Sequence, residues 1–242
     1  MQLVILASGT GSRLRNKTKK VPKCLVKING IPIIDYNKKF IDKFKRVVIV
    51  TGYKSHLIKK KFLDKKYKII FNKKYKTTNM VYSLFCASKY INNNVVICYS
   101  DIIFDKNVIN LFAKHRESSI IIYKNWFELW KKRMNKKKIL KDAENLTLKN
   151  NYVERIGEKI KKDYPKYQFM GLLKLTKLDF NKLYIFFKKI KNNKIDLTNF
   201  LNMAISKEII KLRGIKTIKF WFEIDVAKDI VVAKKNLYKF LK

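Results

Sequence analysis

Short apolar runs rich in β-branched residues recur through the first half of the chain, as expected of strands buried on both faces of a sheet. They occupy residues 3–7, 47–50, 68–71, 95–99 and 119–123. Between them, apolar residues return every three or four positions, which is the period of an amphipathic helix. These helical stretches occupy residues 32–44, 55–63, 80–90 and 105–114. The alternation predicts an α/β fold, a three-layer sandwich with a mostly parallel central sheet.

The alternation stops near residue 124. A basic stretch with two tryptophans, at 125–141, precedes two short apolar segments whose Asn150-Asn151 junction predicts a hairpin. The remaining pattern predicts a strand at 171–175, helices at 179–189 and 196–207, a strand at 215–220, a loop at 221–225 and a helix at 227–241. Because the sequence contains no repeat or flexible linker, we expect a single domain over 1–242, with halves at 1–124 and 125–242.

The first strand leads directly into a loop of small polar residues at 8–12, which leaves backbone N–H groups accessible. Arg13 and Lys23 bring positive charge to the same place, so the stretch predicts a phosphate-binding site. Neither common phosphate-binding motif fits. No Gly-Lys-Ser/Thr follows at the spacing of an ATPase-type loop, and Leu14 stands where a dinucleotide fingerprint needs its third glycine.

The chain has 57 basic and 18 acidic residues, for a formal net charge of +39. The lysines are spread over the whole sequence rather than gathered into one arm or patch, which favours a general lysine bias and attraction for anionic small molecules over a dedicated nucleic-acid surface. We expect no specific nucleic-acid partner, although weak, salt-sensitive RNA binding follows from the charge. A basic RNA- or membrane-surface-binding module is the non-enzymatic alternative.

Other global features point to an ordinary intracellular protein. Three cysteines lie in apolar stretches without metal-ligand spacing, so we expect reduced, buried thiols. The apolar run that opens the chain is too short for a signal peptide, and no run approaches the length of a membrane span. We therefore expect a cytoplasmic protein, and the sequence leaves a homodimer open.

The segments LASGTGSRL at 6–14 and Val21-Pro22-Lys23 resemble, in order and spacing, the nucleotide-sugar pyrophosphorylase and cytidylyltransferase superfamily. The resemblance implies a GT-A-like (Rossmann-like) nucleotidyltransferase fold in which Arg13 and Lys23 neutralise a triphosphate during in-line transfer. It assigns 1–124 to the nucleotide and 125–242 to the acceptor and to closing the fold, with a small inserted acceptor-binding region. The predicted nucleotide-binding residues of this part are Leu6, Ala7, Ser8, Gly9, Thr10, Gly11, Ser12, Gly52 and Tyr53.

Chemistry on a nucleoside triphosphate calls for Mg²⁺, which takes one or two protein carboxylates together with phosphate oxygens. Asp101 follows the strand at 95–99, at the sheet edge where α/β folds bind ligands, and Asp225 ends the segment WFEID. These two residues are the predicted metal ligands. Glu223 is a weaker candidate because alternating acids face opposite ways, and Asp225 could instead cap the helix that follows it. Ser100 departs from the glycine that usually precedes the first acid in the family.

The segment TTNMVYSLFCA at 77–87 resembles the choline-phosphate and phosphonate cytidylyltransferase branch. The resemblance implies that Thr78, Asn79 and Ser83 lie near cytosine and ribose, and their amide and hydroxyl groups suit a pyrimidine edge. Helix capping is the alternative role for any one of them. The sequence therefore predicts CTP as the nucleotide.

Four further segments resemble the aminoethylphosphonate cytidylyltransferases: NWFELWKKRM, DAENL, RIGEK and MGLLKLT. By this resemblance the acceptor is 2-aminoethylphosphonate, with phosphocholine, a phosphoamino acid and a sugar 1-phosphate left open. An ammonium group on the acceptor would meet indole faces and carboxylates, and a lysine would add charge at the phosphoryl group. The two tryptophans are equally consistent with a core stripe. The predicted acceptor residues are Trp126, Trp130, Asp142, Glu144 and Lys159.

Overall fold

The computed structural model of the chain describes residues 1–160 and 163–237. Its strands are β1 (Gln2–Ala7), β2 (Lys27–Ile28), β3 (Ile31–Pro32), β4 (Val47–Thr51), β5 (Tyr67–Phe71), β6 (Val95–Tyr99), β7 (Ile102–Phe104), β8 (Ser119–Tyr123), β9 (Glu144–Lys149), β10 (Tyr152–Lys159), β11 (Gln168–Leu175), β12 (Arg213–Thr217) and β13 (Trp221–Glu223). Its helices are α1 (Lys38–Ile41), α2 (Ser55–Lys61), α3 (Met80–Cys86), α4 (Val108–Ala113), α5 (Trp126–Arg133), α6 (Lys136–Asp142), α7 (Lys177–Lys189), α8 (Leu197–Ser206) and α9 (Ala227–Leu237).

A sheet of nine strands forms the centre of the molecule, in the order β5-β4-β1-β6-β11-β8-β12-β10-β9. The strand pairings orient β10 and β11 opposite to the other strands, so the sheet is mostly parallel in direction. Strands of the second half are interleaved with those of the first, since β11 lies between β6 and β8. The predicted mostly parallel α/β sheet is confirmed.

Side chains of β1 alternate between the two faces of the sheet, as the strand period of two requires. Leu3 and Ile5 join a buried cluster with residues of α1, α2, α4 and α5. Val4 and Leu6 join a second cluster with residues of α3, α7 and α8. Helices therefore cover both faces of the sheet, which confirms the predicted three-layer arrangement.

A third, smaller cluster packs α9 against the region that follows the opening loop. It includes Leu14, Ile103, Phe222 and Ile230, all buried. Here β7 and β13 form a two-stranded antiparallel sheet in which Phe222 opposes Ile103. Because Ile224 N–H also donates to the Asp101 carbonyl (2.9 Å), this small sheet brings the two predicted metal ligands together.

Several predicted elements differ from the observed ones. The stretch at 32–44 is a strand end, a 3-10 helix (Ile33–Asn37) and the short α1, rather than one helix. The segment at 221–225 begins with β13 rather than being a loop throughout, and β7 was not predicted, because three-residue strands carry too little periodicity to be recognised. The Asn150-Asn151 hairpin is confirmed, with both residues at positive φ. The end of the predicted helix at 227–241 lies partly outside the described residues.

Among the described residues, every helix is too short or too polar to traverse a lipid bilayer.

Substitution of Phe200 on α8 tests the packing of the second cluster. This side chain is fully buried and contacts the rings of Phe85, Phe186 and Phe187. We expect Phe200→Ala to lower the free energy of unfolding by about 3–5 kcal/mol, because burial is lost and a cavity is left. Urea unfolding measures the change. Leu178→Ala on α7, at a side chain that is largely exposed, is the control and should stay within about 0.5 kcal/mol.

Candidate active site

The nucleotide cleft, as we name it, lies at the carboxyl ends of β1 and β6 and has a volume of about 310 Å³. Parallel strands of α/β sheets direct their carboxyl ends toward ligands at such an edge. The cleft brings the opening loop, both predicted cations and both predicted metal ligands together. Its lining consists of Leu6, Ala7, Ser8, Gly9, Thr10, Gly11, Ser12, Arg13, Lys23, Cys24, Met80, Tyr99, Ser100, Asp101, Glu223 and Asp225.

The ammonium group of Lys23 joins two of the three carboxylates that line the cleft, Asp101 and Asp225. Lys23 Nζ donates to Asp101 Oδ2 at 2.7 Å and to Asp225 Oδ1 at 3.0 Å. Arg13 Nη1 lies 2.5 Å from the other oxygen of Asp225. Burial alone would lower the pKa of Lys23, but Asp101, Asp225 and Glu223 more than offset it and raise the pKa above its usual value. Lys23 therefore remains an ammonium ion throughout the neutral pH range.

The arrangement fits a divalent cation of the kind that binds phosphates. Asp101 Oδ1 is buried, and no described residue hydrogen-bonds to it, so this oxygen is available as a ligand. The described residues contain no cluster of three or more His, Cys, Asp or Glu side chains suited to a metal ion. A two-carboxylate site completed by phosphate oxygens is what Mg²⁺ commonly uses. Asp101 and Asp225 therefore fit the predicted role.

Two glycines let the opening loop approach its supports. Gly11 has φ of 64°, and a Cβ there would lie 2.9 Å from Lys23 Cβ. A Cβ on Gly52 would lie 2.5 Å from the Ser8 carbonyl oxygen. Tyr53 N–H donates to that same carbonyl at 3.2 Å. Gly52 and Tyr53 thus support the loop from behind rather than lining the nucleotide cleft.

The predicted base-binding residues have hydrogen bonds within the protein. Ser83 Oγ lies 2.7 Å from Ser8 Oγ, and Asn72 Nδ2 donates to Ser83 Oγ at 3.0 Å and to Thr78 Oγ1 at 3.1 Å. Asn79 caps α3 through Met80 N–H and donates to the Lys194 carbonyl. Met80, rather than any of the three predicted residues, lines the cleft. Asn72 is the buried centre of this network. Its role is not evident from the sequence, because an isolated asparagine after a strand is typical of a turn.

A second cleft, the acceptor cleft, has a volume of about 220 Å³ and shares Arg13, Met80, Tyr99 and Glu223 with the first. The two clefts are therefore continuous. Four carboxylates line the acceptor cleft. The full lining is Arg13, Met80, Tyr99, Ile102, Trp130, Asp142, Glu144, Gln168, Phe169, Met170, Gly171, Asp196, Thr198, Trp221 and Glu223.

Two of these carboxylates titrate well above their usual range. Burial raises the pKa of Glu144 to about 7, with Asp196 adding to the effect and the hydrogen bond from Thr198 Oγ1 (3.0 Å) opposing it. Burial also raises the pKa of Glu223 to about 7, against the lowering effect of Arg133. Like charges confined in one cleft favour uptake of a proton or of another cation. The acceptor cleft is thus suited to a positively charged group.

The predicted acceptor residues divide into two groups. Trp130, Asp142 and Glu144 line the acceptor cleft. Trp126 does not, and this prediction is corrected: the residue is fully buried in the core, and its indole N–H donates to the Pro165 carbonyl at 2.9 Å. Lys159 is exposed at the end of β10, opposite Glu144 in register, and is not among the residues that line either cleft.

Asp196, Trp221 and Phe169 are among the residues of the acceptor cleft that the sequence did not identify. Asp196 caps α8 through Asn199 N–H, so its sequence signature is that of an ordinary helix start. Trp221 lies on β13 and donates its indole N–H to the Met170 carbonyl at 3.0 Å. Only the topology brings them to the cleft, since each comes from a different strand or helix.

Comparisons with known proteins agree with this geometry. The sequence model of the MobA-like NTP transferase domain matches residues 3–158. CTP:phosphoglutamine cytidylyltransferase from Campylobacter jejuni is 31% identical over 253 residues, covering 96% of this chain and 98% of that protein. The solved inositol-1-phosphate CTP transferase from T. maritima aligns with a TM-score of 0.78 at 21% identity, covering 94% of this chain and 90% of that one. The solved CTP:phosphocholine cytidylyltransferase from Streptococcus pneumoniae aligns with a TM-score of 0.76 at 21% sequence identity, and the alignment covers 98% of each chain. The structural matches confirm the predicted nucleotidyltransferase fold.

Replacing Lys23 tests its role between the carboxylates. In Lys23→Met, Asp101 loses its ammonium partner and Asp225 keeps only the exposed Arg13, so we expect the free energy of unfolding at pH 8 to fall by about 2–4 kcal/mol. Urea unfolding across pH measures this. Because the pKa of Lys23 is raised on folding, its contribution to stability is complete below the unfolded pKa of about 10.4. As the pH falls and carboxylates become protonated, the variant should regain stability relative to the wild type.

The control for this variant is Lys17→Met, which changes an exposed lysine of the same loop region and should leave stability unchanged. Addition of Mg²⁺ should raise the melting temperature of Lys23→Met more than that of the wild type, because the ammonium group of Lys23 no longer occupies the space between the two carboxylates. Equal stability of Lys23→Met and wild type at pH 8 would contradict the assignment.

Proposed function

The chain belongs to the MobA-like NTP transferase family and is a nucleotidyltransferase, and we propose that it transfers CMP from CTP to a small phosphate or phosphonate that carries a positive charge. The observation that carries this proposal is the continuity of the two clefts. One has a phosphate-type loop, two cations and three carboxylates, and the other is lined by four carboxylates, of which Glu223 is shared. Neither cleft alone would suggest a substrate pair of this kind.

CTP is our candidate for the nucleotide because it is named for the three proteins compared above. The C. jejuni relative and both structural neighbours carry CTP in their names, although their acceptors differ. In this chain, the backbone of the opening loop would hold the triphosphate, and Met80 and Tyr99 would bound the region between base and acceptor. Thr78, Asn79 and Ser83 would act on the base through the shape of the loop that they support.

The proposed reaction is a direct displacement. An anionic oxygen of the acceptor attacks the α-phosphorus of CTP, the bond from that phosphorus to the bridging oxygen breaks, and pyrophosphate leaves with its electron pair. No proton has to move, since the attacking oxygen is already ionised. Arg13 and Lys23 lie where negative charge accumulates, and positioned charge is the main requirement of phosphoryl transfer.

Asp101 and Asp225 would hold Mg²⁺, which when bound supplies positive charge to phosphate oxygens. Lys23 and Arg13 each contact a carboxylate at 2.5–3.0 Å. Binding of the nucleotide would release both cations from these carboxylates to phosphate oxygens. The protein would thereby exchange internal ion pairs for contacts with substrate.

The acceptor cleft favours an ammonium group. Asp142, Glu144, Asp196 and Glu223 line it, and Trp130 and Trp221 offer aromatic faces. We propose 2-aminoethylphosphonate as the first candidate, with phosphocholine and phosphoglutamine, which also carry ammonium groups, as the alternatives. A sugar phosphate or inositol phosphate lacks this charge and would leave the carboxylates without a partner.

Asp101→Asn tests the reaction class. Loss of this carboxylate should reduce Mg²⁺-dependent pyrophosphate release from CTP more than a hundredfold, because a metal ligand is removed at the point of charge development. A coupled pyrophosphate assay with each nucleoside triphosphate and an acceptor panel gives both rate and preference. Asp105→Asn, four positions along the chain and with its carboxylate bound to Asn107 N–H, is the matched control. Near-wild-type turnover of Asp101→Asn would sink the metal assignment.

Glu144→Gln tests the acceptor class. We expect the acceptor KM to rise about tenfold for ammonium-bearing acceptors, the scale of one charged hydrogen bond, and to stay unchanged for inositol 1-phosphate. For the wild type, the KM of ammonium-bearing acceptors should rise as pH falls from 8 to 6, because Glu144 takes up a proton near pH 7 and loses its charge. Glu154→Gln, on the exposed face of the same hairpin, is the control. An equal effect on charged and uncharged acceptors would refute the proposal.

A further inference from the structure

Beneath the two clefts, Arg133 and Asp229 form a buried ion pair that the proposed reaction does not use. Arg133 ends α5, and Asp229 lies in the first turn of α9. Arg133 Nε donates to Asp229 Oδ1 at 2.7 Å, and Nη2 donates to Oδ2 at 2.8 Å. The two residues are 3% and 0% exposed. Because burying two charges costs about as much as their attraction returns, such a pair is poorly explained by stability alone.

The carboxylate of Asp229 also fixes the backbone of the predicted metal ligand. Its Oδ2 atom accepts hydrogen bonds from Asp225 N–H at 2.7 Å and from Val226 N–H at 2.8 Å. One oxygen thus binds the guanidinium and two consecutive backbone donors. Since the Asp225 side chain projects from this backbone toward Lys23 and Arg13, the position of its carboxylate depends on where Asp229 is held.

The third nitrogen of the guanidinium group, Nη1, lies on the side of Glu223 and the clefts. Arg133 Nη1 is buried and has no hydrogen-bond partner among the described residues, while Glu223 Oε2 lies 3.8 Å away. Glu223 lines both clefts. The guanidinium also lies 5.6 Å from the ring of Trp130 and 5.7 Å from that of Phe222. Arg133 therefore contacts the support of the metal ligand, a carboxylate shared by both clefts and an aromatic wall of the acceptor cleft.

From these contacts we propose that Arg133 and Asp229 are positioning residues that set the geometry of Asp225 and Glu223 for divalent-cation binding. The proposal rests on the proposed function only in taking Asp225 as a metal ligand. Residues that orient metal ligands from behind typically change metal affinity or activity ten- to a hundredfold when replaced. Arg133 supplies the rigid, planar fork that this requires, and lysine cannot reproduce it.

Two variants with different risks for folding test the pair. Arg133→Lys keeps a buried cation beside Asp229 but loses the two-point contact. The double variant Arg133→Met with Asp229→Asn removes both charges together, so neither is left unpaired. Arg213→Lys is the matched control, because Arg213, the first residue of β12, pairs with Glu117 and Tyr152 and lines neither cleft.

Three measurements separate positioning from a purely structural role. Mn²⁺ binding in the presence of CTP is followed by electron paramagnetic resonance, thermal melting reports folding, and steady-state assays give kcat, the KM for CTP and the Mg²⁺ concentration for half-maximal rate. We expect both variants to melt as folded proteins and to require at least about tenfold more Mn²⁺ or Mg²⁺ for half-saturation, with the KM for CTP at saturating metal nearly unchanged. Arg213→Lys should match the wild type in metal binding.

Wild-type metal affinity in either folded variant would overturn the proposal, as would a failure of both variants to fold, since the pair would then serve the fold itself. Failure of the proposed function has a different signature: the wild type would show neither Mn²⁺ binding with CTP nor metal-dependent pyrophosphate release. The two ideas can therefore fail separately.

Discussion

Neutralisation of two facing carboxylates by one lysine is the interaction on which the site depends. Lys23 Nζ reaches Asp101 and Asp225 within 3.0 Å, and it thereby ties together the segment after the opening loop, the end of a central strand and the segment before the last described helix. Without a cation between them, these carboxylates would repel each other in a partly desolvated cleft. The same charges that would bind Mg²⁺ and phosphate thus hold the protein together before substrate arrives.

The parts of the site that the sequence predicts are those recognisable from a short segment of sequence. The small-residue loop at 8–12 follows a strand directly, and Asp101 follows another, so strand direction alone places both at one sheet edge. Trp126 shows where local information ends. Trp126 and Trp130 are four positions apart on α5, yet only Trp130 lines the acceptor cleft. Helical spacing places both on one face of the helix but does not reveal which of them is covered by other segments of the protein.

The remaining site residues depend on long-range topology. Glu223 reaches both clefts because β13 pairs with β7, and Asp196 reaches the acceptor cleft while it also caps α8. Neither has a sequence signature that distinguishes it from an ordinary surface acid. The overall α/β arrangement was predictable because the alternation of buried strands and helices repeats many times, whereas the short β7–β13 sheet was not, because it has no repeating pattern.

The distribution of charge has two scales. Over the whole chain, 57 basic residues oppose 18 acidic ones, so the long-range field attracts polyanions such as a nucleoside triphosphate. Within the acceptor cleft the local sign is reversed by Asp142, Glu144, Asp196 and Glu223. A molecule with a phosphoryl group at one end and a cation at the other matches this reversal, since each end meets the opposite charge.

The contact between Lys23 and Asp225 joins residues 202 positions apart, which has a consequence for synthesis. A ribosome makes the loop, Lys23 and Asp101 early, and the nascent chain then lacks Asp225 until nearly all of the described chain has emerged. Because such distant contacts form only after the intervening chain has been ordered, the active site is among the last features to assemble. A chain that ends before Asp225 would therefore lack one of the two carboxylates that Lys23 joins.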